Sequence, residues 1–240
     1  MKILAFDSSG LVASVAVLTE EQMIAEYTVN YKKTHSQTLL PMLDEVAKMT
    51  ELDLHDIDAI AIAAGPGSFT GLRIGSATAK GLGLALKKPI VAVPTLEGLA
   101  CNLYGCEDIL CPMMDARRKQ VYTGLYTFAD GQMQVLKEQT ACPVEEILQQ
   151  AGNFGKKVHF LGDGVPVYRS VIEEVMQKTG TPYVFASAHM SRQRAGAVGI
   201  RAFEYLRAGK TETAAEHAPV YLRKSQAERE LLVKGKTLAQ

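Results

Sequence analysis

Residues 62–84 read "IAAGPGSFTGLRIGSATAKGLGL", a glycine-rich run set between two apolar segments. Gly65, Gly67, Gly71, Gly75, Gly81 and Gly83 at this density serve one of two ends. Either bare backbone wraps a phosphate, or a helix lets a neighbour come close. The phosphate motifs fail one by one. A P-loop wants lysine after its last glycine, and Gly71 is followed by Leu72. A dinucleotide fingerprint wants GxGxxG, and Gly71 falls one residue too late after Gly65 and Gly67. A nucleophile elbow wants GxSxG, and Ser68 has Pro66 two before it and Thr70 two after. What remains is helical: Gly71, Gly75, Ala79 and Gly83 recur every four residues and line one ridge. Glycine inside a helix costs about 1 kcal/mol relative to alanine, so the ridge implies a close compensating contact. That contact is either with the helix's own sheet or with another molecule. Arg73, Ile74, Ala77 and Lys80 lie off the ridge and are expected to face outward.

Working back towards the N-terminus, "KILAF" (2–6), "LVASVAVL" (11–18) and "MIAEYTVNY" (23–31) alternate with turn-rich segments and predict a three-strand meander. A helix follows, with Thr34 as its cap and Leu39, Leu40, Leu43, Val46 and Ala47 on its apolar face. Pro41 belongs in its early turns or kinks it. "IDAIAIAA" (57–64) reads as a buried strand, 71–87 as a second helix and "PIVAVP" as another strand, giving βββαβαβ.

The pattern then begins again. "ILCPMMDA" (109–116) carries Asp115 near its end as the first strand carries Asp7, and "QVYTGLYTFA" and "QMQVLKEQT" follow, hinged at Asp130-Gly131. Next come a helix at 143–150, a strand at 157–163, a helix from about 166 to 178 and a short strand "YVFAS". Two tandem βββαβα units predict an α/β molecule of two mixed-sheet domains with a cleft between them. The first domain is expected over 1–105, joined by an amphipathic helix returning at 191–209, and the second over 106–190. The tail, 210–240, gains charge and loses apolar density, and its last fifteen or so residues are expected to be mobile or bound to something.

Composition narrows the function classes. The 240 residues are 47% hydrophobic, enough to fill real cores without staples. Lys plus Arg equals Asp plus Glu at 26 each, so a stand-alone nucleic-acid binder is disfavoured. The four apolar residues before Asp7 are too short for a secretory segment, and no long uncharged apolar run follows, so a cytoplasmic protein away from membranes is expected. Cys101, Cys106, Cys111 and Cys142 show no CxxC pair or neighbouring histidine at zinc spacing. Reduced thiols are expected, with no metal on them.

Asp7 and Asp115, each ending the first strand of a unit, stand where a two-domain phosphotransferase holds a metal-bound phosphate and a general base. An autonomous ATP-dependent phosphotransferase is therefore one candidate. A peptidase using Ser68 or His35 is another, but it lacks an identifiable base and orienter.

The duplicated layout resembles the actin, sugar kinase and Hsp70 superfamily, which implies RNase H-like domains. Within it, "ILAFDSS", "HSQTLLPMLDEV", "AAGPGSFTGLRIGSATAKGLGLAL", "PTLEGLA" and, near the end, "PVYLRK" resemble the TsaB (YeaZ) family of tRNA threonylcarbamoyladenosine biosynthesis. The family's catalytic paralogue, TsaD, carries the same glycine-rich stretch and then an HxEGH metal motif. The matching segment is Thr95-Leu96-Glu97-Gly98-Leu99, so Thr95 and Leu99 replace both imidazoles. Neither a lone hydroxyl nor an isobutyl group substitutes for imidazole on a transition metal. Asp7, Ser8, Asp115, Gly162 and Gly164 then mark a degenerate phosphate and nucleotide cleft.

The resemblance implies a subunit with no catalytic residues and no cofactor of its own, ATP and a metal belonging to partner subunits. It implies pairing with TsaD, assembly with TsaE, contact with tRNA only through the complex, and a homodimer when alone. Both dimers are expected to use the first two helices through His35, Leu39, Leu43, Arg73, Ile74, Ala77, Lys80 and Gly81. Together the assembly transfers threonylcarbamoyl to N6 of adenosine 37 in tRNAs that read ANN codons.

Overall fold

Strand β1 (Lys2–Asp7) is the middle strand of its sheet and buries both of its faces, which is why it reads as a continuous apolar run rather than an alternating one. Leu4 and Phe6 point to one side and Ile3 and Ala5 to the other. The computed structural model describes residues 1–223. β2 (Ala13–Thr19) and β3 (Met23–Val29) continue the antiparallel meander, and β4 (Ala59–Gly65) and β5 (Ile90–Pro94) add in parallel on the other edge. The order is β3-β2-β1-β4-β5.

A second five-stranded sheet has the same connectivity. It is built from β6 (Ile109–Asp115), β7 (Gln120–Ala129), β8 (Gln132–Pro143), β9 (Val158–Leu161) and β10 (Tyr183–Phe185), in the order β8-β7-β6-β9-β10. Asp130 and Gly131, both at positive φ, make the β7–β8 turn, as their sequence implied. Two tandem RNase H-like α/β lobes result.

Helices α1 (His35–Met49) and α2 (Phe69–Leu86) cover the Leu4 and Phe6 face of the first sheet, side by side. Helix α3 (Thr95–Ala100), which the sequence reading left out, passes from the first lobe to the second. Helices α4 (Val144–Gly152) and α5 (Gly164–Thr179) cover one face of the second sheet. Helix α6 (Ala195–Arg207) returns to the first sheet and packs on Ile3, Ala5, Ala16 and Leu18.

Several boundaries and one face differ from expectation. Helix α2 starts at Phe69, because Ser68 already caps it, its Oγ accepting from the Gly71 amide at 3.4 Å. Helix α5 starts at Gly164 and β8 runs on to Pro143. Thr34 holds the cap position of α1, but its side chain bonds no helix amide. The buried face of α1 is Leu39, Met42, Leu43 and Val46, an i, i+3, i+4, i+7 set. Leu40 lies about 100° round the helix from Leu39 and is 54% exposed.

The glycine ridge is internal. A Cβ at Gly71 would lie 2.0 Å from the Ser8 carbonyl oxygen, one at Gly67 2.4 Å from that of Ser9, and one at Gly75 2.5 Å from Ser8 Oγ. Two hydrogen bonds stitch the contact: Ser68 N–H donates to the Ser9 carbonyl (2.7 Å) and Ser8 Oγ donates to that of Gly71 (2.9 Å). Gly71→Ala is therefore expected to lower stability by about 3 kcal/mol, since backbone cannot swing aside as a side chain can. Gly81, with nothing within 4 Å of its added Cβ, should become more stable by about 0.5–1 kcal/mol as Gly81→Ala. Urea unfolding of the two variants measures both signs.

Candidate functional site

The carboxyl ends of the parallel strands β1 and β4 lie side by side, and one C-terminal segment bonds both the end of β4 and the residue after β6, at the strand ends where open α/β sheets bind ligands. Asp7 is only 1% exposed, and its Oδ1 accepts from the Ser9 amide at 2.7 Å. Burial pushes its pKa up, against the pull of Ser9's donors and of His35. Ser8 is spent on the α2 contact. His35 Nε2 donates to the Gly10 carbonyl at 2.8 Å, so it braces the same loop and caps nothing. Ser68 Oγ, as the α2 cap, has neither a base nor an orienter bonded to it.

The second lobe repeats the device. Gly162 has φ +108°, and a Cβ there would sit 2.1 Å from the Met113 carbonyl oxygen; Gly164 closes on the same carbonyl at 3.1 Å. These glycines are fully accounted for by the packing of the β9–α5 turn against β6. Asp115 Oδ1 accepts from the Arg117 amide (2.8 Å) and from the Tyr168 hydroxyl (3.1 Å). Burial and that bond push the Tyr168 phenol up to about 12.

A C-terminal strap crosses between the strand ends. The Val220 amide donates to the Ala64 carbonyl at the end of β4 (2.7 Å), and Arg223 Nη1 donates to the Ala116 carbonyl just past β6 (2.8 Å). Tyr221 stacks on Phe69, ring centroids 4.4 Å apart, and its hydroxyl accepts from Arg73 Nε at 3.3 Å. Lys80 Nζ donates to the His217 carbonyl at 3.0 Å. Sequence reasoning missed these strap contacts, although Val220, Tyr221 and Leu222 form an apolar run between charged segments. Residues 224–240, which include the last fifteen or so expected to be mobile or bound, lie outside the described residues.

Several expected interface residues are corrected. Leu39 and Leu43 face the first lobe's core, because they share the i, i+4 stripe with Val46. Neither is exposed on the surface of the chain. Ile74 is half-buried against that core. Arg73 and Lys80 do lie off the ridge, but they hold the strap. Ala77 and Gly81 are exposed, in line with Thr70 and Leu84 on the outer face of α2.

Helix α3 carries the Thr95-to-Leu99 segment, buried throughout. Thr95 Oγ1 accepts from the Gly65 amide at 3.0 Å. Leu99 packs in an apolar cluster with Leu110, Met114, Tyr126 and Phe128 of the second lobe. Glu97 Oε2 accepts from Arg201 Nε (2.6 Å) and from the Tyr205 hydroxyl (2.8 Å), and Arg201 also pairs with Glu204. Burial works against the Arg201 charge, but Glu97 beside it more than offsets this and holds the guanidinium above its usual value. This donor set does not suit a transition metal: the carboxylate is committed to α6, and the residues two before and two after it offer a bonded hydroxyl and a hydrocarbon.

The family model described as "TsaD: tRNA N6-adenosine threonylcarbamoyltransferase" matches residues 22–231. The tRNA threonylcarbamoyladenosine biosynthesis protein TsaB of Bacillus subtilis is 34% identical over 231 residues, 95% of this chain and 96% of that one. The chain belongs to this family, in its TsaB (YeaZ) branch. The solved structure of YeaZ from Pseudomonas aeruginosa superposes with a TM-score of 0.76 at 28% identity, covering 92% of this chain and 99% of that one. By contrast, the tRNA N6-adenosine threonylcarbamoyltransferase of Novosphingobium aromaticivorans is 32% identical over 157 residues, and the match spans 41% of its length. The TsaB-like chain thus shares part of the transferase's length and all of a TsaB's.

Two predictions follow from the buried charges. Arg201→Met strands Glu97 in the core and should lower stability by about 3–5 kcal/mol, read by urea unfolding at neutral pH. Asp7→Asn keeps the acceptor for the Ser9 amide and removes a carboxylate whose folded pKa is raised. Its effect should be smallest in acid, where folded and unfolded chains both hold the proton, and should turn increasingly stabilising relative to wild type as pH rises through the raised pKa. Unfolding midpoints collected from pH 4 to 9 check the sign.

Proposed function

We propose that the chain is a non-catalytic, activating subunit in tRNA threonylcarbamoyladenosine biosynthesis. It docks with TsaD and, through that assembly, with TsaE and tRNA, in the cytoplasm. The observation that carries this reading is the burial of Thr95 and Leu99 in the segment that resembles the transferase's metal motif. ATP and metal are then supplied by partner subunits. Among the described residues no helix is long and apolar enough to cross a membrane, which agrees with work beside a tRNA.

The docking surface is the outer face of the α1 and α2 pair. On α2, Thr70, Ala77 and Gly81 are small and exposed, so another helix can come close there, with Leu84 (68% exposed) supplying apolar area at one end. On α1, Leu40 is exposed beside the buried stripe. In the absence of TsaD the same face pairs with a second copy, since an exposed apolar helix pair tends to be covered.

Reconstitution tests the reading. The purified chain alone should form no threonylcarbamoyladenosine, and adding it to TsaD, TsaE, the adenylate-forming enzyme, ATP, threonine, bicarbonate and tRNA should raise product well above the same mixture without it. Product from the lone chain, or full product without it, contradicts the proposal. Ala77→Arg should weaken association with TsaD at least tenfold in sedimentation while leaving the fold intact, because it buries an unpaired charge at the contact.

A further inference from the structure

Away from the strand ends, Cys106 Sγ, Asp108 Oδ and His159 Nε2 lie within 4.8 Å of one another, each residue half-buried. Cys106 and Asp108 belong to the segment joining α3 to β6, and His159 is on β9, the parallel neighbour of β6. We propose that these three side chains bind a divalent transition metal, zinc by preference, with an open fourth position facing solvent.

The donor set is that of a zinc site: one thiolate, one imidazole and one carboxylate. The spacing needs little adjustment. Zinc bonds of about 2.0–2.3 Å in tetrahedral array separate ligand atoms by about 3.3–3.8 Å. His159 Nε2 and Asp108 Oδ2, now 2.9 Å apart, have to open by about 0.5 Å, and the thiol has to close. Side-chain rotation suffices, since the backbone is fixed on every side. The Cys106 amide donates to Leu103 and its carbonyl accepts from Phe128; the Glu107 carbonyl accepts from Thr127 Oγ1 and Lys156 Nζ; and the Ile109 amide donates to Lys157. Such anchoring lowers the ordering cost of binding.

The sequence expectation of no metal on the cysteines rested on spacing along the chain. His159 reaches Cys106 only through the β6–β9 pairing, which spacing does not register. A bound ion would clamp the inter-lobe segment to the second sheet.

The test is cobalt(II) titration of the reduced full-length chain, followed by zinc. One cobalt per chain should bind with a thiolate-to-metal band in the near-ultraviolet, and equimolar zinc should abolish it. Cys106→Ser should remove the band, and His159→Ala should weaken zinc affinity at least tenfold, as loss of a ligand demands. His189→Ala, an exposed histidine elsewhere, should change nothing. Zinc should also raise the thermal midpoint of the wild-type chain. No cobalt band in the wild type, a band that survives Cys106→Ser, or a midpoint indifferent to zinc would overturn the proposal, and the wild-type readings stand even if a variant misfolds.

Discussion

The backbone of Ser8 and Ser9 lies against the first turns of α2 at a distance that leaves no room for a side chain, and the rest of the first lobe is arranged round that contact. It requires glycine at 67 and 71, and Gly75 closes on the Ser8 side chain. It draws the β1–β2 turn inward, which buries Asp7, and it places Gly10 under His35 at the start of α1. In an α/β fold this turn is where a phosphate would be cradled; here Ser8 Oγ donates to the Gly71 carbonyl and the Ser9 amide donates to Asp7. The second lobe solves the matching position in the same way, with Gly162 closed on the Met113 carbonyl.

Between the lobes, polar chemistry has been turned to holding elements together. Glu97 ties α3 to α6 through Arg201 and Tyr205, while Leu99 on the same helix fills the apolar junction with the second sheet. The strap then runs from the end of β4 to the end of β6, fastened by Val220 and Arg223. Each tie uses a group that would otherwise be free to meet a ligand. The inward glycine ridge of α2 packs on its own lobe, while its outward face carries the small exposed residues of the proposed docking surface.

Much of the fold was legible because its signals are local. Apolar runs ending in Asp7 and Asp115, each followed by a meander, disclosed the duplication, and the Asp130-Gly131 pair disclosed its turn. The ridge itself was legible as a packing surface, but not its partner, since four-residue spacing is satisfied equally by a loop of the same chain or by another molecule. The apolar face of α1 was misassigned at two positions, Leu40 included and Met42 left out, because the two are equally hydrophobic and only the angular position separates them. Helix α3 was missed because six residues are too few to show a period. The strap and the Cys106, Asp108 and His159 group were out of reach for one reason: their members meet through tertiary contact, far apart along the chain.

Amide hydrogen exchange of the chain, alone and with saturating TsaD, tests most directly whether this molecule works by docking on α1 and α2. The account predicts that exchange slows along these two helices on mixing, while the β9–α5 turn stays as it was. Slowing confined to the β9–α5 turn and the strand ends, with α1 and α2 unchanged, would contradict it.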